Sequence, residues 1–250
     1  MRRALLLDTE TTGLDPATDY VIEVAACVFD LELGCPIESY ASLMRAPHNP
    51  IERVNRIPMA AIADARRPSE VWARVAELAR DVDAVAAHNA EFDRSFVEAA
   101  IRGLQQPAVS LDGSERSSAR AGDELSGALA GKPWCCTMDD FHWEGGSKKL
   151  VEIALGYGLG VASAHRALAD VDTMARTFAR VRELGGSLPD LFRRAARPKA
   201  LFYAVISFER RQVAKDHGFR WDEAKHGKNW FRTMPIEDTA ELPFQVRRVA

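Results

Sequence analysis

Four carboxylates and one imidazole stand where a folded α/β chain could bring them together. Asp8 and Glu10 flank Thr9 just after the apolar run 4–7. In an extended backbone residues i and i+2 share a face, so both carboxylates can meet at one point. Asp93 follows the short apolar segment 84–87 and falls at the start of an expected helix; Asp170 falls at the start of another. Helix starts beside the carboxyl ends of strands are where open α/β sheets place ligands. Carboxylates gathered in this way repel one another unless a cation neutralises them. Hard divalent ions, Mg²⁺ or Mn²⁺, take oxygen ligands of this kind. Two such ions roughly 4 Å apart suit phosphodiester hydrolysis, one serving the attacking water and the other the leaving oxygen. His165 lies on the loop entering the helix of Asp170. Imidazole titrates near neutral pH and suits removal of a proton from water.

The elements that must position these groups follow from pattern. Residues 4–7 read as a buried strand ending at Asp8, and 11–16 as a turn. Residues 20–30 form a second strand in which Glu23 is the one charge before Asp30, and 37–44 a third, with Gly34, Cys35 and Pro36 at the hairpin. Helices are predicted over 69–81, 91–103, 148–156 and 167–184, with a short central strand at 84–87. Asp172, two residues past Asp170 on a helix, points elsewhere. Residues 106–133 carry no apolar period and read as a surface insertion or loop. The stretch 186–199, with Pro189, Pro198 and clustered arginines, reads as a linker. Residues 200–250 then form a small module: a strand at 201–206, a helix capped by Ser207 and ended by Gly218, and a hairpin from 219–221 and 229–232.

With these placements made, Asp8-Thr9-Glu10-Thr11-Thr12-Gly13 resembles the first motif of the DEDDh exonucleases. His88-Asn89-Ala90-Glu91-Phe92-Asp93 resembles the second, and His165 to Asp170 the third. Order and spacing are similar to the DnaQ-like branch, which includes proofreading subunits of bacterial replicative polymerases and ribonuclease T. The resemblance covers residues 3 to about 184 and gives a 1–185 exonuclease domain. It implies an α/β fold with a ribonuclease-H-like mixed sheet flanked by helices, followed by the small α+β module. It also implies two bound Mg²⁺ or Mn²⁺ ions held by Asp8, Glu10, Asp93 and Asp170, with His165 as general base. The activity it implies is removal of nucleotides from 3′ ends, with single-stranded DNA the first substrate and RNA not excluded. In the same way Leu14 is expected to pack against the terminal base, and Thr11 to hydrogen-bond the terminal nucleotide. His88 is expected to fix the substrate-side loop.

Composition is ordinary for a folded protein: 250 residues, 47 % hydrophobic, 28 % charged, net charge −3, which excludes disorder, fibre and coiled-coil rod. No apolar run approaches the roughly 18 residues that span a bilayer, and the start is too short in apolar residues for a signal peptide. Cys27, Cys35, Cys135 and Cys136 form no C-x-x-C pair and read as reduced thiols of a cytoplasmic chain without membrane attachment; Cys135, Cys136 and His142 fit no common zinc spacing. Charge is uneven: residues 196–250 hold 11 Lys/Arg and 7 Asp/Glu, net +4, leaving 22 and 29, net −7, for the rest. The module interleaves Lys and Arg with aromatics, among them Arg220, Trp221 and Trp230, and such a mixture suits phosphate and unpaired bases. Its 214–222 and 228–231 segments resemble a small uncharacterised module of phage- and plasmid-borne proteins. The aromatics could equally form the module's core, a dimer contact or a protein-docking face. Two other functions remain open: a nucleic-acid-binding adaptor on a vestigial fold, and a proofreading subunit with a polymerase partner.

Overall fold

The computed structural model describes residues 1–106, 114–143, 145–163 and 165–249. The chain divides into two compact units, Met1–Ala196 and Arg197–Ala250. The first is built on a sheet of β1 (Arg3–Thr11), β2 (Val21–Asp30), β3 (Cys35–Leu43), β4 (Ala84–Ala87) and β5 (Trp134–Cys136), in the order β3-β2-β1-β4-β5. β1 pairs antiparallel with β2 and parallel with β4, so the sheet is mixed. The helices are α1 (Glu52–Asn55), α2 (Met59–Ala63), α3 (Pro68–Ala79), α4 (Ala90–Gln105), α5 (Ser114–Leu129), α6 (Leu150–Gly156), α7 (Ala167–Glu183) and α8 (Leu188–Ala195).

The near-continuous apolar run of β1 is what a strand covered on both faces requires. Leu5 and Leu7 face a core shared with α3, α4 and α5. Ala4 and Leu6 face the other core, where Val171, Met174 and Phe178 of α7 meet Phe192 of α8. In α7 the buried positions recur three and four apart, the spacing of one helical face. Such burial contributes about 1.5–3 kcal/mol per large apolar side chain.

Three expectations need correction. β1 does not end at Asp8 but runs to Thr11, because its outer residues still pair with β2. Residues 114–129 are no loop: α5 packs Leu125 and Ala128 into the first core and buries Ala121 as well. Its period went unseen because two of those three are alanine. Gly122 lets α5 approach α4; a Cβ there would lie 3.1 Å from Leu104 Cβ and 3.3 Å from the Ile101 carbonyl. The part of the expected insertion at 107–113 lies outside the described residues. Within 186–199, residues 188–195 form α8, whose Leu188, Phe192 and Ala195 are buried. Ser187 accepts a hydrogen bond from the Asp190 N–H and Pro189 sits in the first turn, so the residues read as linker punctuation are a helix start.

The second unit is an antiparallel sheet of β6 (Lys199–Val205), β7 (Arg220–Trp221), β8 (Trp230–Pro235) and β9 (Gln245–Arg248), ordered β7-β8-β6-β9, with short helices α9 (Arg211–Asp216) and α10 (Glu223–His226). Phe202, Ala214, Phe219 and Met234 are its core. No helix among the described residues is long and apolar enough to cross a membrane.

Candidate active site

The outer half of β1 sets the site. Alternation puts Asp8 and Glu10 on the α7 face and Thr9 on the α4 face. Asp170 lies in the first turn of α7. One carboxylate oxygen from each of Asp8, Glu10 and Asp170 falls within 4.8 Å of the others; among the described residues this is the one such group of potential metal ligands. Cys135, Cys136 and His142 form no second group there.

Asp93 arrives from the opposite face. The chain turns sharply out of β4 at Asn89, which takes a left-handed φ of 71°, and starts α4. This buries Asp93 in the helix's first turn. Its Oδ1 accepts hydrogen bonds from the Thr9 N–H at 2.9 Å and the Thr9 hydroxyl at 2.8 Å. Asp93 therefore stands outside the close trio, tied to the residue between its two β1 members.

The electrostatics are those of gathered, buried anions. Burial, then Asp93, Asp170, Glu10 and Glu23, push the Asp8 carboxyl well above the usual carboxylate range. Burial and the nearby Asp170 and Glu23 push Glu10 up to about 7, against the lowering effect of Arg166. Burial raises Asp93 to about 7 even though the Thr9 hydrogen bonds favour its charged form. Asp170 is raised by burial, opposed by a hydrogen bond from the His165 backbone and by the His165 charge. All donor atoms here are carboxylate oxygens, the set that Mg²⁺ and Mn²⁺ prefer, and a divalent cation would relieve the repulsion that raises these groups.

His165 is exposed beside Asp170, and its backbone is left-handed, φ 61°. Such a conformation is uncommon outside glycine, with histidine among the residues that tolerate it best. Sequence reasoning passed over the pair that holds this loop. Glu23 of β2 is opposite Glu10 in register and almost wholly buried. It accepts Arg166 Nε at 2.9 Å and Nη2 at 2.7 Å, a two-pronged ion pair, and the Ala167 N–H at 3.2 Å. Its signal was present as the one charge of an apolar strand ahead of its last residue, Asp30.

The remaining expected site residues separate by exposure. Leu14, 83 % exposed, projects from the loop between β1 and β2. That loop is folded on itself: the Thr12 N–H donates to the Tyr20 carbonyl at 2.9 Å. A Cβ at Gly13 would lie 2.3 Å from Asp19 Oδ2, so a side chain there would displace the carboxylate that accepts the Asp15 N–H. Thr11, expected to bind nucleotide, is buried, and its hydroxyl donates to the Gly13 carbonyl at 2.6 Å, so its side chain shapes the turn. His88 sits 2.9 Å from the Thr137 hydroxyl, and burial lowers its pKa. Arg220, Trp221 and Trp230 belong to the second unit, where they line a surface pocket.

A family model described as exonuclease (RNase_T) matches residues 5–178, and one for a domain of unknown function matches residues 200–249. No curated protein matches the chain. Among solved structures, an exonuclease I has a TM-score of 0.55 at 18 % identity, over 82 % of this chain and 48 % of that one. The E. coli exonuclease I complex with a dT13 oligonucleotide has a TM-score of 0.56 at 14 % identity, over 98 % and 69 %. A 3′-exonuclease that recognises the 3′ end of a histone mRNA stem-loop has 0.55 at 13 %, over 74 % and 65 %. The chain thus spans about half the length of the first exonuclease I structure it matches, and at these identities the likeness is one of fold: a mixed sheet flanked by helices, as in ribonuclease-H-like exonucleases. Since the exonuclease model takes in residues 5–178, with all three acidic motifs inside it, the chain belongs to the exonuclease family, of the DEDDh (DnaQ-like) type.

Proposed function

We propose that the chain is a divalent-metal-dependent 3′–5′ exonuclease acting on single-stranded nucleic acid, with DNA the first substrate to test. The observation that carries this reading is the convergence of Asp8, Glu10 and Asp170 within 4.8 Å, inside the segment that matches the exonuclease family. Asp8, Glu10, Asp93 and Asp170 would hold two Mg²⁺ or Mn²⁺ ions. When bound, such ions supply charge that favours attack by water on the phosphorus and departure of the 3′ oxygen. Thr9 fixes one oxygen of Asp93, and the other would be its metal ligand. His165, exposed and adjacent to Asp170, takes the proton from the attacking water and passes it to solvent. The exposed Leu14 offers an apolar face to the terminal base, and His88 with Thr137 steadies the loop between β4 and α4.

The test is a gel of 5′-labelled single-stranded DNA and RNA of one sequence, incubated with Mg²⁺ or Mn²⁺, with EDTA and Asp170→Ala controls. The expected result is a metal-dependent ladder shortening from the 3′ end, absent for Asp170→Ala, and the better-degraded strand names the sugar. Near wild-type degradation by Asp170→Ala would overturn the metal assignment. Intact strands in every lane would favour the binding adaptor.

A further inference from the structure

The second unit carries a surface pocket of about 510 Å³ lined by four aromatic side chains, Phe208, Phe219, Trp221 and Trp230, with Lys215 and Arg220. That volume lies in the range of small-ligand sites. Phe219 is buried and contributes to the unit's core, so it forms the floor. Phe208 and Trp221 are different, 69 % and 44 % exposed. Folding alone does not explain large aromatics left open to water side by side, and such patches mark binding surfaces. Cations are already stationed on the rings. Arg211 lies 4.2 Å from the Phe208 centroid and Lys215 lies 5.6 Å from that of Trp230. The Trp221 and Trp230 rings pack together at 5.3 Å, which stiffens the wall.

From this geometry we infer that the pocket is a nucleotide-gripping site, in which an unpaired base of single-stranded nucleic acid stacks on Trp221 while its phosphates lie among Lys215, Arg220 and Arg211. Flat aromatic faces accept any base, and the cationic rim suits the polyanion. The uneven charge agrees, since residues 196–250 carry +4 and the remainder −7. Aromatics and arginine also occur at protein interfaces, but the rim of Lys215, Arg211 and Arg220 carries one sign of charge and selects a polyanionic chain. The site needs no catalytic carboxylate and works without metal.

The test uses the full chain in EDTA, so that nothing is hydrolysed. Fluorescein-labelled oligothymidylate and an abasic oligomer of equal length are titrated by anisotropy against wild type, Trp221→Leu, Trp221→Phe and Lys215→Ala/Arg220→Ala. Stacking worth the usual amount per base predicts that Trp221→Leu weakens oligothymidylate binding by about 5- to 150-fold, and Trp221→Phe by less. The abasic oligomer binds wild type more weakly and is indifferent to Trp221→Leu. The double variant flattens the salt dependence for both oligomers. Equal affinity of wild type and Trp221→Leu for oligothymidylate, with equal melting temperatures, would overturn the proposal. So would a change only in oligomeric state by light scattering, which would make the pocket a self-association face. Outcomes separate this site from the exonuclease reading. Base-dependent binding without degradation under Mg²⁺ or Mn²⁺ removes the exonuclease and keeps the pocket; degradation with Trp221-independent binding does the reverse.

Discussion

Replacing Arg166 tests how the third acidic motif is held. In the wild type the Glu23 carboxylate receives both prongs of Arg166 and the Ala167 N–H. Arg166→Ala leaves it with the Ala167 bond alone, facing Glu10 across the strand pair and close to Asp8 and Asp170. Breaking a wholly buried ion pair costs about 3–5 kcal/mol. The Arg166 side chain is 45 % exposed, so solvent already screens part of the attraction, and about 1–3 kcal/mol is the expected loss. For a unit of this size that lowers the melting temperature by roughly 2–12 °C. The rate falls further than stability does. Ala167 opens α7 and Asp170 lies one turn on, so loosening the helix start moves both Asp170 and His165. A displacement near 1 Å costs on the order of 10²-fold. There is also a sign to read. Arg166 lowers the Glu10 pKa, so in the metal-free protein its loss moves Glu10 up from about 7; protons then compete better with the metal, and the acidic limb of the pH–rate profile at subsaturating metal shifts to higher pH. Arg166→Lys keeps the charge without the fork, and it should restore the limb while leaving much of the rate deficit. The assays are thermal melting and initial rates across pH for Arg166→Ala, Arg166→Lys, Glu23→Gln and the Glu23→Gln/Arg166→Ala double variant. An unshifted limb at wild-type rate would refute the reasoning, as would single-variant effects that add to within about 0.5 kcal/mol in the double.

His165→Ala should keep metal-induced stabilisation and slow single-turnover cleavage by roughly 10²–10⁴-fold; a wild-type rate would remove histidine from the proton transfer. In EDTA the acidic cluster should set a pH slope. Glu10 moves from 4.5 to about 7 on folding, and Asp93 from 3.8 to about 7. Between those values the folded chain binds more protons than the unfolded one, so stability falls as pH rises toward 7. Melting scans from acid to neutral pH should show this decline, weaker in Glu10→Gln, and Mn²⁺ should raise the melting temperature most near neutrality; a rising melting temperature in EDTA would contradict it. Leu125→Ala should destabilise the chain by about 2–5 kcal/mol, read by denaturant unfolding, since Leu125 is fully buried in the first core; a change below 0.5 kcal/mol, the surface-residue value, would deny α5 that place.

What could be read from sequence was what depends on short-range geometry. The strand period of two put Asp8 and Glu10 on one face, and the breaks before Asp93 and Asp170 placed both at helix starts. What escaped depends on partners distant in the chain. The Thr9 bonds to Asp93 join residues on β1 and α4, and Glu23 meets Arg166 across most of the first unit. Thr11 has the same polarity in any role, and only the fold shows that its hydroxyl closes the turn at Gly13. α5 was hidden for another reason: an alanine- and glycine-rich helix face has little hydropathy contrast, although it packs closely.

The acidic residues enter the site from β1, from α4 and finally from α7, the last long helix of the first unit. This ordering bears on how the protein is made. Synthesis delivers the amino-terminal strands first. A nascent chain that has not yet released α7 has neither Asp170 nor His165, whatever else has folded. On the proposed function, fragments ending before that helix, from premature termination or proteolysis, would likewise be inert. On the same reading, cleavage competence therefore waits for α7 and marks completion of the first unit, whether or not the second has yet been made.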